Sequence, residues 1–212
     1  MESLAVVAGA ALVHLVAVAS PGPNFVVISR TALVYSRRAG VMATAGVATG
    51  TVVYVVFGFL GVTAILERSV TAFRVAKYVG AAYLIYLGLK SLWAARRVSA
   101  PAGATPVASG ALAVSDVQAY RTGLLTMATN AKAALYFLAF FTTIVSASTP
   151  LAAKVGIVLV LPAISFSWYS MISTVFSRAA ARRVYARFSR WINATFGGLL
   201  VALGVTVALS RR

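Results

Sequence analysis

The sequence predicts an all-α integral membrane protein, with six transmembrane helices forming two inverted three-helix repeats. Three observations lead there. Of 212 residues, 61% are hydrophobic and 10% charged, with a mean hydropathy of +0.92, a composition foreign to soluble domains. Basic residues separate six apolar segments, each long enough to cross about 30 Å of hydrocarbon. Two of those segments also repeat a pattern three spans apart.

The first span covers residues 4–35, with His14 and Arg30 its only ionisable groups. As one straight helix it would reach about 48 Å, at about 1.5 Å per residue. It is interrupted by Ser20-Pro21-Gly22-Pro23-Asn24, which predicts a broken helix at membrane depth. Glu2 and the lack of Lys or Arg before the apolar run argue for a retained span over a cleaved signal. A second span covers 40–66 and a third 74–93. Residues 96–121, rich in Ala, Ser, Gly and Pro, read as a linker. The fourth, fifth and sixth spans cover 122–147, 153–177 and 191–210. The expected domains are thus a first repeat at 1–95, the linker at 96–121 and a second repeat at 122–212.

Ala81-Ala82-Tyr83-Leu84-Ile85-Tyr86-Leu87-Gly88 in span three matches Gly197-Gly198-Leu199-Leu200-Val201-Ala202-Leu203-Gly204 in span six. Both read small-small-x-Leu-x-x-Leu-Gly. Thr129-Asn130-Ala131-Lys132 stands in span four where the proline tract stands in span one. Duplicating a unit with an odd number of spans inverts the second copy, the plan of many secondary transporters. Loops after spans one, three and five hold twelve Lys and Arg, and the opposite side holds six. The positive-inside rule then places both termini outside the cytoplasm.

Several function classes fall away. There is no cysteine, one histidine and only three acids, Glu2, Glu67 and Asp116. That inventory supports neither a metal centre nor an enzyme's nucleophile or acid pair, and it calls for no cofactor. The net charge of +16 belongs to cytoplasmic loops and anionic head groups, with no nucleic-acid partner. The partners left are the lipid bilayer and a small solute, and a homo-oligomer stays open. Gly46-x-x-x-Gly50 makes a small face suited to packing inside the bundle.

The chemistry concentrates at the two interruptions. Pro21 and Pro23 lack amide hydrogens, so carbonyls upstream are released. A helix resuming near Asn24 would present its positive end at mid-membrane, where a carboxylate can bind. Asn130 and Lys132 lie within an apolar span, and an intramembrane lysine is a functional candidate by default. It can meet a carboxylate or the carbonyls freed at the other break. His14 is the candidate proton carrier. Pro162 is expected to kink span five, with Ser165, Ser167, Trp168 and Tyr169 beyond it along a polar path. The expected translocation residues are Pro21, Gly22, Pro23, Asn24, Asn130 and Lys132.

At these residues the chain resembles the LysE/RhtB family of amino-acid exporters over nearly its full length. Ser20 to Asn24 matches the family's Ser-Pro-Gly-Pro-Asn/Asp. Asn130 to Phe137 matches its Asn-Pro-Lys followed by small and aromatic residues, with Ala131 in place of proline. Val13-His14-Leu15-Val16 and Trp191-Ile192-Asn193 are most similar to the threonine/homoserine branch. The resemblance implies a secondary exporter of threonine, homoserine or other neutral amino acids in a bacterial inner membrane, driven by the proton motive force. A channel or a non-transporting membrane scaffold is the alternative. With Ala131, the second break either closes or opens without proline.

Overall fold

The computed structural model describes residues 2–96, 114–144, 149–176 and 179–209. Among them all regular structure is helical: α1 (Glu2–Ala19), α2 (Pro23–Val34), α3 (Arg37–Arg68), α4 (Val70–Arg96), α5 (Asp116–Ala128), α6 (Ala131–Ile144), α7 (Leu151–Phe176) and α8 (Ala179–Leu209). Two of these, Arg37–Gly61 in α3 and α7, are each long and apolar enough to cross a bilayer. Two helix pairs meet the same measure only when each pair is taken together across a short break. The α1–α2 pair turns by 61° and the α5–α6 pair by 56°.

The remaining two helices do not meet the same measure of length and apolarity. In α8 the apolar part is Asn193–Leu209, preceded by the basic run up to Arg190, which is helical and continuous with it. In α4 the apolar run is diluted by Tyr83, Tyr86, Lys90 and Ser91, and these residues line a cavity.

The linker is shorter than the sequence suggests. Ser115 Oγ accepts a bond from the Gln118 amide at 3.2 Å, and Gln118 Oε1 accepts one from the Ser115 amide at 3.2 Å. This reciprocal capping box starts α5 at Asp116, inside the interval read as linker, and places Arg121 within the helix. Residues 97–113 lie outside the described residues.

Glycines let the helices approach closely. A Cβ on Gly46 would collide with the Tyr120 carbonyl oxygen, and one on Gly123 with that of Ala43. The Gly46–Gly50 face therefore packs inside the bundle, on α5. Along the α4–α8 seam, a Cβ on Gly204 would come 2.9 Å from the Ala81 oxygen, and one on Gly197 would come 2.8 Å from the Gly88 oxygen. Rising numbers in α4 thus meet falling numbers in α8, so the pair is antiparallel. Ala81 and Gly197 are matched positions of the repeated pattern, as are Gly88 and Gly204. Exchanging the two copies converts one contact into the other, the self-complementarity of a two-fold interface.

The core lies between α1, α2, α3, α6 and α7, around Ala10, Ile28, Val47, Phe137, Phe141, Ile157 and Leu161. Large apolar side chains also cover the outside, including Leu12, Phe57, Leu60, Leu125, Leu159 and Leu209. A surface of this kind suits lipid rather than water.

Candidate functional site

Both helix breaks face the middle of the bundle and meet there. At the first, α1 ends at Ala19 and α2 restarts at Pro23, with Pro in the first turn, where its missing N–H costs no helical bond. Gly22 is the N-cap, in extended backbone and without a side-chain cap. At the second break no proline is present. Asn130 provides the turn: its Oδ1 accepts from the Lys132 amide at 3.0 Å and the Ala133 amide at 3.4 Å. An asparagine N-cap of this kind satisfies donors that a helix start leaves orphaned. The second break therefore opens without proline.

Two links join the breaks. Asn130 Nδ2 donates to Asn24 Oδ1 at 3.1 Å, and Asn24 Nδ2 points at Met127 Sδ at 3.2 Å. Both asparagines are buried. Lys132 reaches across to the carbonyl end of α1, where its Nζ donates to the Ser20 oxygen at 2.8 Å. The Ala17 and Pro21 oxygens lie at 3.5 Å. These carbonyls sit at the negative end of the α1 dipole, and the helical donor that Ala17 would have had is Pro21, which carries no N–H. A lysine ammonium, with three donors, is the complement they need. Gly22 makes room for it, since a Cβ there would lie 3.1 Å from Lys132 Cδ.

Beside this junction is a chamber of about 40 Å³, lined by His14, Thr51, Tyr136, Ser165 and Tyr169, with Leu84 and Leu200 from the α4–α8 seam. His14, only 1% exposed, is held at both ring nitrogens. Nδ1 lies 3.1 Å from the Tyr136 hydroxyl and Nε2 lies 2.9 Å from Ser165 Oγ. Thr51 Oγ1 is 3.3 Å from Ser165 Oγ. On the other side of the breaks is an open vestibule of about 730 Å³, flanked by Tyr83, Tyr86, Lys90, Ser91, Thr126 and Asn193. Ser20, Gly22, Leu87, Asn130 and Lys132 line both spaces, so the bridged breaks lie where the two adjoin.

The family model described as LysE type translocator matches residues 15–211. The chain belongs to the LysE family. It is therefore an integral membrane translocator and not an enzyme. Among its LysE-family relatives is the threonine efflux protein of Salmonella typhi, 31% identical over 95% of this chain and 96% of that protein. The threonine efflux protein of Escherichia coli K12 is 30% identical over 95% and 96%. The leucine efflux protein of Enterobacter sp. strain 638 is 30% identical over 89% and 86%. No solved structure matches the chain.

The expected translocation residues come together, with Pro21, Gly22, Pro23, Asn24, Asn130 and Lys132 at the junction and His14 on the chamber wall; Ser165 and Tyr169 also line the chamber, whereas Ser167 and Trp168 line neither space. Thr51, Met127 and Tyr136 escaped the sequence reading of the site. A signal existed for Tyr136, which is four residues from Lys132 and hence on the same helix face. Thr51 and Met127 join the site only through tertiary packing.

Proposed function

We propose that this chain is a secondary carrier that exports neutral amino acids, threonine and homoserine among them, from the cytoplasm across a bacterial inner membrane. The observation that carries the reading is the Lys132 bridge, which joins two helix breaks where a large vestibule adjoins a small chamber. Broken spans that meet at mid-depth are the common architecture of substrate sites in such carriers. The carbonyl end of α1 suits the substrate's ammonium group, and the first turn of α2 suits its carboxylate. Lys132 holds the place of that ammonium when no substrate is bound.

The antiparallel, self-complementary α4–α8 seam supports two inverted three-helix repeats, 1–95 and 122–212. The intervening linker is shortened by the α5 start at Asp116. Alternating access would come from rocking one repeat on the other about this seam. With both termini outside, the vestibule opens toward the cytoplasm, because Lys90 and Asn193 lie next to the cytoplasmic basic runs. Coupling to the proton motive force suits a chain without an intramembrane acid only if protons pass through His14, water or the substrate itself.

The test is efflux from vesicles containing the purified protein. A carrier gives saturable efflux of labelled threonine or another neutral amino acid, and external unlabelled substrate drives counterflow. Flux linear in concentration without counterflow would mean a channel, and no flux of any amino acid would end the reading.

A further inference from the structure

The relatives are named for threonine and for leucine, so family membership leaves the side-chain preference undecided. The geometry points to the His14 chamber as the pocket for the substrate side chain, one that accepts a short side chain and reads a hydroxyl on it. This rests on the export reading above.

Size comes first. The chamber is small, about 40 Å³ against about 730 Å³ for the vestibule, so it suits a short side chain. The side chains of threonine, homoserine and valine each have three heavy atoms beyond Cα, and leucine has four.

Polarity decides among those three. The buried groups form one chain: Thr51 Oγ1 donates to Ser165 Oγ at 3.3 Å, Ser165 Oγ lies 2.9 Å from His14 Nε2, and His14 Nδ1 lies 3.1 Å from the Tyr136 hydroxyl. In one tautomer of His14, with Thr51 donating to Ser165 and Ser165 to Nε2, Nδ1 carries the hydrogen and donates to Tyr136; the Leu161 backbone is a further partner of the ring. The Tyr136 proton is then left for a guest oxygen in the chamber. Thr51 has a second acceptor, the Val47 carbonyl at 3.1 Å, so the chain can reverse and close on itself when no guest is present. A threonine or homoserine hydroxyl meets a ready donor. Valine, of the same size and without the oxygen, gains no such bond. Sites built to hydrogen-bond a hydroxyl discriminate more sharply than apolar pockets, which sort only by size.

The experiment loads vesicles with an equal mixture of threonine, valine and leucine and reads their efflux ratios, which cancel differences in protein yield. The wild-type protein should favour threonine over valine by about tenfold, one hydrogen bond's worth, and over leucine by more. Tyr136→Phe keeps the ring and removes the hydroxyl, so it should bring threonine and valine within about twofold of each other. Ser165→Ala, which cuts the chain in the middle, should move the ratio the same way and serves if the first variant fails to insert. Equal threonine and valine efflux from the wild type, with export itself intact, overturns the chamber assignment alone. An unchanged ratio in either inserted variant also overturns it. No efflux of any amino acid overturns the export reading and this inference with it.

Discussion

The two helix breaks bend by nearly the same angle, 61° at α1–α2 and 56° at α5–α6, and reach it by different chemistry. The first relies on the backbone: Pro21 and Pro23 withhold two amide donors, and no side chain caps α2. The second relies on side chains: Asn130 caps α6 and Lys132 extends across the gap. One break thus leaves carbonyls in need of donors, and the other supplies the donor. Neither is complete alone. A bend at membrane depth needs its freed polar groups satisfied by protein, and proline is only one way of starting it.

The sharpest way to break that complementarity is to remove Lys132. Lys132→Met keeps much of the apolar stem and leaves the Ser20 oxygen, with its neighbours at Ala17 and Pro21, without the ammonium. An unsatisfied buried acceptor costs about 1–3 kcal/mol, so a thermal-unfolding assay in detergent should show a clear fall in stability. Export should drop at least tenfold in vesicles. Methylammonium should restore part of it to Lys132→Ala, because a free cation can then occupy the vacated position. Wild-type export from either variant would show that the first break needs no partner.

Asn130 is the next test, and two substitutions divide its roles. Asn130→Ala loses the cap and the bond to Asn24, at about 1–2 kcal/mol for the cap. Asn130→Asp caps equally well but cannot donate to Asn24 Oδ1. Export by the aspartate variant should lie between wild type and alanine, with stability close to wild type. If the two variants match in both measurements, the cap is not what holds the second break open.

How much of this was legible depends on where each interaction is encoded. The first break stands in the sequence because proline acts locally, whatever surrounds it. Asn130 and Lys132 stand out as polar residues in an apolar run, although what opens the second break is Asn130's side-chain oxygen, visible only with the backbone in place. The α5 start was also legible, in Ser115-x-x-Gln118, and was obscured by the low-complexity composition around it. Thr51 was not legible. A helical threonine can satisfy its hydroxyl on its own Val47 carbonyl, so nothing local marks it as facing Ser165. The low apolarity of α4 was ambiguous for a similar reason, since Tyr83, Tyr86 and Lys90 face a vestibule that only the assembled bundle creates.

A smaller effect is expected at Gly22. Its backbone is extended, with φ −170° and ψ −171°, so alanine fits the conformation and acts only through space. The added Cβ would lie 3.1 Å from Lys132 Cδ and 3.3 Å from Nζ. The lysine must then shift by a few tenths of an ångström and loosen its bond to Ser20. Weakening one hydrogen bond by about 0.5 kcal/mol corresponds to about a twofold loss of export. Gly22→Leu should lose far more, and equal rates for the two would mean that the lysine's path over Gly22 is unimportant.

Ala131→Pro is the mildest change and bears most directly on how the breaks differ. Ala131 is the first residue of α6 and its side chain is exposed. The first helical position is where proline is best tolerated, because its missing N–H had no intrahelical partner. Asn130 already holds the turn, so the proline would reinforce a bend that exists. Stability should stay level or rise by about 0.4–1 kcal/mol, through a less flexible unfolded chain, and export should stay within about twofold of wild type. A large loss of export with normal insertion would mean that the second break must straighten during the cycle. Alanine would then be there to permit motion, and the two breaks would differ in function as well as in chemistry.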